Sequence, residues 1–343
     1  LKKYGALIIS SVIAVLAVYY TMRNVSMEEL LHSFDSVRYV YLIPTLLILI
    51  VLYWARTLRW KMLISPIKPV KISELYSPMM VGFMAGVLPA RVGEIVRAYL
   101  LAKNQSLKFS SALATIVVER LFDLFFLMLL FAWLLVFQPD IWDPSITWSG
   151  IAVRDLAFQF GLFSVILIAG LFAFIYLLAR HKATAVALVH WVLKPFPQNW
   201  RDKVEHLLEA FSDGLAVVKD MQSLACIALS TALVWGLIVL SYYPLYWAYD
   251  LQDKSLASVV LVVVMICILI TILPTPAFLG SFNAGVLIAL HQIMGESEVA
   301  AVSFGMVAWT INFAVIILGG LYFILRDHIS VTQLADKIQE EEI

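Results

Sequence analysis

Apolar residues run along this chain in blocks far longer than a soluble core needs. Six blocks are long enough to cross a hydrocarbon layer as helices, which takes about 20 residues. They are residues 4–22, 40–60, 110–137, 156–179, 224–248 and 299–325. Two further blocks are broken: residues 72–102 by Pro89 and Gly93, and residues 255–293 by Pro274, Pro276 and Gly280. The piece after each break has about 10 residues and reaches about 15 Å, half a bilayer. Proline removes a helix hydrogen bond and glycine lets backbones approach, so each block predicts a re-entrant helical hairpin or a broken helix. Irregular backbone at that depth must be buried in protein or face a wet cavity. Eight simple helices, two of them kinked at proline, is the alternative. The fold class predicted is all-α: a polytopic membrane protein with six full spans and two hairpins.

The order helix, helix, hairpin, helix occurs twice, the second time with every direction inverted. The chain divides accordingly into a first membrane repeat (1–182, with helix 156–179 at the junction), a linker (183–221), a second repeat (222–326) and a tail (327–343). Paired interrupted segments in inverted halves point to a transporter whose site lies between the hairpins near the midplane. In the linker, Val204, Leu207, Leu208, Phe211, Leu215 and Val218 recur at helical spacing opposite Arg201, Asp202, Glu205, Glu209 and Asp213. That is an amphipathic helix on the membrane surface. Residues 26–34 predict a second, opened by a capping box of Ser26 and Glu29.

Composition agrees: mean hydropathy is +0.91 and 14% of residues are charged, against about 25% in soluble domains. With the N-terminus in the cytoplasm, most of the 24 basic residues fall on that side. Among them are Lys2, Lys3, Arg56, Arg59, Lys61, Lys103, Lys108, Arg180, Lys194 and Arg326. The far side gathers acids such as Glu28, Glu29, Asp140, Asp250, Glu296 and Glu298. The positive-inside rule then places both termini in the cytoplasm and the protein in the cell membrane. The first apolar run has no small-residue cleavage site and reads as a retained helix. Cys226 and Cys267 read as buried small hydrophobes. The six histidines lack ligand spacing, and no nucleophile elbow, phosphate loop or zinc motif occurs. No catalytic residue, metal, cofactor or nucleic-acid partner is expected, and the protein is not expected to be an enzyme.

The candidate chemistry lies in ionisable residues within the apolar blocks. "LPARVGEIVRAYLL" (88–101) carries Arg91, Glu94 and Arg97, and "ALATIVVERLFDLFF" (112–126) carries Glu119, Arg120 and Asp123. Glu119 and Asp123, four apart, share a helix face. A charge at that depth costs at least about 3 kcal/mol and needs a partner or a cavity. Two readings remain open. The three bases and three acids form a self-neutralising lock, or arginines are left free for an anionic headgroup, whose phosphate a guanidinium fork matches, with a carboxylate gating or carrying a proton. Gly82 and Gly86 share a face and read as helix packing. The second hairpin is uncharged, and its hydrogen-bonding side chains are Ser281 and Asn283.

Four stretches in order, "RTLRW" (56–60), "LPARVGEIVRAYLL", "ATIVVERLFDL" (114–124) and "PTPAFLGSFNAGVLIAL" (274–290), resemble the lysylphosphatidylglycerol synthase transmembrane-region family. The resemblance covers nearly the whole chain. The family's Pro-x-Arg-x-Gly-Glu-x-x-Arg falls on Pro89, Arg91, Gly93, Glu94 and Arg97, and its Glu-Arg-x-x-Asp on Glu119, Arg120 and Asp123. Many members read Pro-Gly-Gly-x-Gly and then a glutamate in the second hairpin. Here Ala277 and Phe278 replace the glycine pair and Asn283 stands in the acid's place, so the acid's proton or cation role does not carry over. The resemblance implies a flippase-type membrane domain, found fused to aminoacyl-lipid synthases and also alone. The chain read here ends without an acyltransferase domain and is not expected to aminoacylate lipid itself.

The expected function is therefore movement of a polar-headgroup lipid between leaflets by alternating access between the hairpins. Arg91, Arg97, Arg120, Ser281 and Asn283 are the candidates for headgroup contact, and Glu94, Glu119 and Asp123 for gating or coupling. Pro89, Gly93, Pro274, Pro276 and Gly280 shape the breaks. A small-solute transporter and a non-transporting partner of a lipid-modifying enzyme are the alternatives. The partners considered are a membrane lipid, such an enzyme and a second copy of the chain.

Overall fold

The fold comes from a computed structural model, which describes residues 2–87, 92–142, 147–148, 151–194, 198, 221–273 and 275–330. Pro89, Arg91, Pro274, the amphipathic stretch 201–218 and the tail from 331 lie outside the described residues.

The described residues are helical nearly throughout. Helix α1 (Lys2–Met22) is followed by the short α2 (Met27–Asp35), then α3 (Leu42–Ile64), α4 (Ile72–Ala85), α5 (Gly93–Gln105) and α6 (Phe109–Phe137). A two-residue antiparallel ribbon, Thr147–Trp148 with Ile151–Ala152, precedes α7 (Val153–Arg180) and α8 (Lys182–Val192). The second half holds α9 (Met221–Ala248), α10 (Leu256–Ile272), α11 (Ser281–Leu287, wound on as a π-helix to Ile293) and α12 (Glu298–Arg326). Among the described residues, five helical segments are long and apolar enough to cross a membrane: 39–64, 109–137, 222–248, 276–293 and 298–326. This is a multi-pass helical membrane protein. Four of the six full spans expected from sequence, 40–60, 110–137, 224–248 and 299–325, are among these five, and the fifth, 276–293, is the second arm of a hairpin. The arms are also longer than the expected 10 residues. Helix α5 has 13, about 20 Å of rise.

Local chemistry accounts for the ends. Helix α2 has the capping box expected: the Glu29 amide donates to Ser26 Oγ at 3.2 Å, and the Ser26 amide to Glu29 Oε2 at 3.0 Å. These bonds hold the Glu29 carboxyl below its usual range. Their contribution is present above that range and is lost as the pH falls through it. Within the linker expected at 183–221, residues up to Val192 belong to α8, whose Ala185 is buried. Cys226, expected to be buried, is exposed on α9, and Cys267 is half-buried.

Both broken blocks are antiparallel hairpins. In the first, Gly82 of α4 lies against Arg97 and Gly93 of α5, and Gly86 lies against Gly93. The pairing descends on one arm as it rises on the other. A Cβ on Gly93 would overlap the Gly82 carbonyl and the Gly86 backbone, so only glycine permits this approach. Gly82 and Gly86 do serve packing, as their spacing predicts. In the second hairpin, a Cβ on Gly285 of α11 would meet the Ile266 backbone of α10 at 2.7 Å. Gly280 turns the chain with φ +85°.

The two halves interlock. Helices α3 and α9 pack along each other. Each hairpin's second arm packs on the next long helix of its own half, α5 on α6 and α11 on α12. Each first arm instead packs on the long helix of the other half, α4 on α12 and α10 on α6. Small residues permit the first of these crossings, since Gly319 and Gly320 of α12 face Met80 and Met84 of α4. The hairpin tips touch: the Ala277 amide donates to the Val87 carbonyl at 2.9 Å, and the Trp309 indole donates to the Ala277 carbonyl at 2.9 Å.

That tip is strained. Ala277 and Phe278 have φ of +55° and +58°, a left-handed conformation costing a non-glycine residue about 1–2 kcal/mol. These are the two positions where the sequence departs from a glycine pair. Ala277→Gly should raise stability by about 0.5–1 kcal/mol after glycine's own entropic cost, read as a higher melting temperature in detergent.

Candidate functional site

Helix α6 places a carboxylate where no water reaches. Glu119 lies ten residues after Phe109, about 15 Å along the helix, and is fully buried. Three guanidinium groups converge on it. Arg97 of α5 binds both oxygens, Nη1 to Oε1 at 3.2 Å and Nη2 to Oε2 at 2.6 Å. Arg59 of α3 donates Nη2 to Oε1 at 2.9 Å, and Arg120 donates Nη2 to Oε1 at 2.7 Å.

Asp123, one turn on and on the same face, takes the rest of Arg59. It accepts Nη1 at 2.6 Å and Nη2 at 3.2 Å, a two-toothed geometry that suits guanidinium and carboxylate. Arg120 Nη2 lies 3.2 Å from Asp123 Oδ2. Helix α9 closes the group with two residues four apart. Thr231 Oγ1 is 3.4 Å from Arg59 Nη1, and the Trp235 indole donates to Asp123 Oδ1 at 3.3 Å. Trp60 forms the floor under Arg97, whose guanidinium lies 3.8 Å from the ring centroid. The Trp60 indole N–H is anchored by Thr115 Oγ1 at 3.1 Å.

The network has a closed end and an open one. Arg59 and Glu119 are fully enclosed, whereas the Arg120 side chain is 36% exposed. Donors also exceed acceptors. The Nε hydrogens of Arg56, Arg59, Arg97 and Arg120 are buried and meet no acceptor among the described residues. Three arginines contact two carboxylates, and Glu94, half-buried nearby, makes no ion pair among the described residues.

Of the residues picked from sequence, Arg97, Glu119, Arg120 and Asp123 come together here, while Arg91 lies outside the described residues. Ser281 and Asn283 are not part of this network. Ser281 is buried in its own turn, 2.8 Å from Thr275 Oγ1 and 3.2 Å from the Phe278 carbonyl. Asn283 is buried against Gly305, with no hydrogen-bond partner for Oδ1 among the described residues.

Sequence reasoning missed Arg59, Arg56, Trp60, Thr231 and Trp235. The sequence reading put Arg56 and Arg59 in a cytoplasmic flank; the structure corrects this, because α3 runs to Ile64 and buries Arg59 completely. The available signal was "RTLRW": two arginines three apart, on one face of a span, followed by tryptophan.

Fold and site together define a polytopic helical membrane protein with an arginine–carboxylate network buried among α3, α5, α6 and α9, one arm of the first hairpin included. Residues 7–320 match the transmembrane region of lysylphosphatidylglycerol synthase, and the chain belongs to that family. It is 24% identical to a curated protein of Methanothermobacter thermautotrophicus described as a UPF0104 membrane protein, across 98% of this chain and the whole of that relative. It is also 24% identical to glycosyltransferase AglD of Haloferax volcanii, across 74% of this chain. That match spans only 43% of AglD, so the chain covers less than half of that relative's length. No solved structure matches it.

Proposed function

We propose that the protein moves a polar-headgroup lipid between the leaflets of the cell membrane, with both termini cytoplasmic and the hairpin tips parting and closing around the headgroup. The observation that carries this reading is the surplus of guanidinium donors at membrane depth. Four buried Nε hydrogens without an acceptor among the described residues are expensive in hydrocarbon and are suited to an anionic group that visits. Family membership and the likeness to AglD, a glycosyltransferase by its description, support a lipid as cargo. We read the protein as a translocase and not an enzyme because both Glu119 oxygens are held by arginines, so neither is free to act as a base.

The test is leaflet exchange of headgroup-labelled lipid in proteoliposomes. Wild type should exchange lipid, and Arg97→Ala, checked for folding by its detergent melt, should lose at least about tenfold of the rate. A charge-assisted contact is worth about 1.5–3 kcal/mol. Exchange that survives in the variant would make the network a structural lock. No exchange of any lipid by wild type would favour a non-transporting partner of a lipid-modifying enzyme, and uptake of a tailless headgroup would favour a solute carrier.

A further inference from the structure

Where α1 ends and α12 begins, the fold fixes the tautomer of one histidine. His291 lies in the π-helical stretch that ends the second hairpin, and its Nδ1 is 2.7 Å from the Glu296 carbonyl. A carbonyl only accepts, so in the neutral ring Nδ1 carries the hydrogen and Nε2 keeps a bare lone pair. That nitrogen faces Oε2 of Glu298, the first residue of α12, at 3.8 Å. A carboxylate also only accepts. Two acceptors therefore confront each other, and nothing bonds the ring to Glu298 until a proton arrives at Nε2.

Glu298 is also tied to α1. Its Oε1 accepts from Asn24 Nδ2, just past the end of that helix, at 3.0 Å. Gln292, next to His291, donates its side-chain amide to the Tyr20 hydroxyl at 2.6 Å. Farther back, α1 packs on the tip of the second hairpin, where a Cβ on Gly280 would meet Ala17 at 2.8 Å. His291, Glu298 and Asn24 thus form a row that joins the hairpin's second arm, α12 and α1. A π-helical stretch at such a junction is a frequent mark of a working site. Among the described residues, the other charged groups around the ring are engaged elsewhere. Glu296 turns its carboxylate to the amides of Gln252 and Asp253, at 2.7 and 3.3 Å. Arg23 lies over the Tyr20 ring, 5.0 Å from its centroid. Helix α10, packed on the same stretch, carries one thiol, Cys267, and no charged residue. On α12 the next charged residue after Glu298 is Arg326, at the far end.

We infer that His291 and Glu298 form a proton-operated latch: the protonated ring grips Glu298 and fastens the second hairpin to α12 and α1, and the neutral ring lets go. An imidazole ordinarily changes charge between pH 5 and 8, a range in which a carboxylate is ionised. The tie is present below the imidazole range and is lost as the pH rises through it. With both termini in the cytoplasm, as proposed above, the latch lies on the outer face and answers to acid outside. Its service as a brake on hairpin motion rests on the translocase reading; the latch itself rests on the geometry.

Hydrogen exchange tests it apart from transport. Purified protein in detergent is compared at pH 5 and pH 8 through the amides of residues 20–25, wild type beside each variant at the same pH. The ratio of His291→Ala to wild-type exchange rate should be about two- to fivefold larger at pH 5 than at pH 8, the worth of a partly exposed ion pair. Glu298→Gln should invert the dependence. Its amide nitrogen donates to the bare Nε2 and opposes the protonated one, so protection moves to pH 8. An equal His291→Ala ratio at both pH values, or Glu298→Gln protected at pH 5 as wild type is, would overturn the latch. If Glu298→Gln does not fold, the ¹⁵N shifts of the wild-type ring decide: at pH 8 the hydrogen must sit on Nδ1, and an Nε2–H tautomer would overturn the latch. Protection as expected with no leaflet exchange would keep the latch and defeat the translocase; leaflet exchange with protection indifferent to pH would do the reverse.

Discussion

Glu119→Ala is expected to cost about 3–5 kcal/mol of stability, the range for removing one partner of a buried ion pair. The reason is what remains behind. Arg97 would lose both of its carboxylate contacts, Arg120 its shortest, and Arg59 one of its two anchors. Asp123 alone would then stand against three cations in a largely buried space. Glu119→Gln keeps the shape and one acceptor oxygen and should cost less than Glu119→Ala. Melting in detergent, or unfolding by a denaturing surfactant, gives the order wild type, Gln, Ala. A Glu119→Ala protein as stable as wild type would mean that water or lipid already compensates the arginines. The network would then be a solvated site and not a packed one.

The second large effect is expected from a single methyl group. Gly93→Ala places a Cβ where the Gly82 carbonyl and the Gly86 backbone already are. None of these atoms belongs to a side chain that can swing aside, so the two arms must separate. Overpacking of this kind costs about 3 kcal/mol. The displacement matters doubly because Arg97 is one turn along the same helix and reaches Glu119 through two bonds. The variant should therefore melt lower and also lose leaflet exchange. Gly236→Ala is the control, since its added Cβ meets nothing within 4 Å, and it should match wild type in both measurements. Equal melting temperatures for Gly93→Ala and Gly236→Ala would show that the arms have slack.

Hydropathy made the architecture legible because it counts residues, and a span is a matter of count. Pro89, Gly93, Pro276 and Gly280 marked the breaks, since each has a backbone that other residues do not imitate. Ionisable residues inside apolar runs were equally visible, so Glu119, Asp123, Arg97 and Arg120 could be named. Which face of which helix they meet was not. Arg59 resembled a flank because the strongly apolar run stops at Ala55, although the helix continues nine residues to Ile64. Its burial depends on α6 and α9, which arrive from far along the chain. Ser281 spends its hydroxyl on its own turn, on Thr275 and the Phe278 carbonyl, a partnership that spacing along the chain does not reveal. The glycine pair replaced at Ala277 and Phe278 was a truer signal, since both positions adopt the left-handed backbone that glycine favours.

The exchange of first arms between halves has a consequence for biosynthesis. Chains are made from the N-terminus and tend to fold as they emerge, yet the α4 surface around Met80 and Met84 is covered by Gly319 and Gly320, more than two hundred residues later. The first hairpin therefore enters the membrane with an open seam. Until α12 is inserted, lipid or an insertion factor must stand in for it, and a chain interrupted before residue 319 would present that seam to quality control.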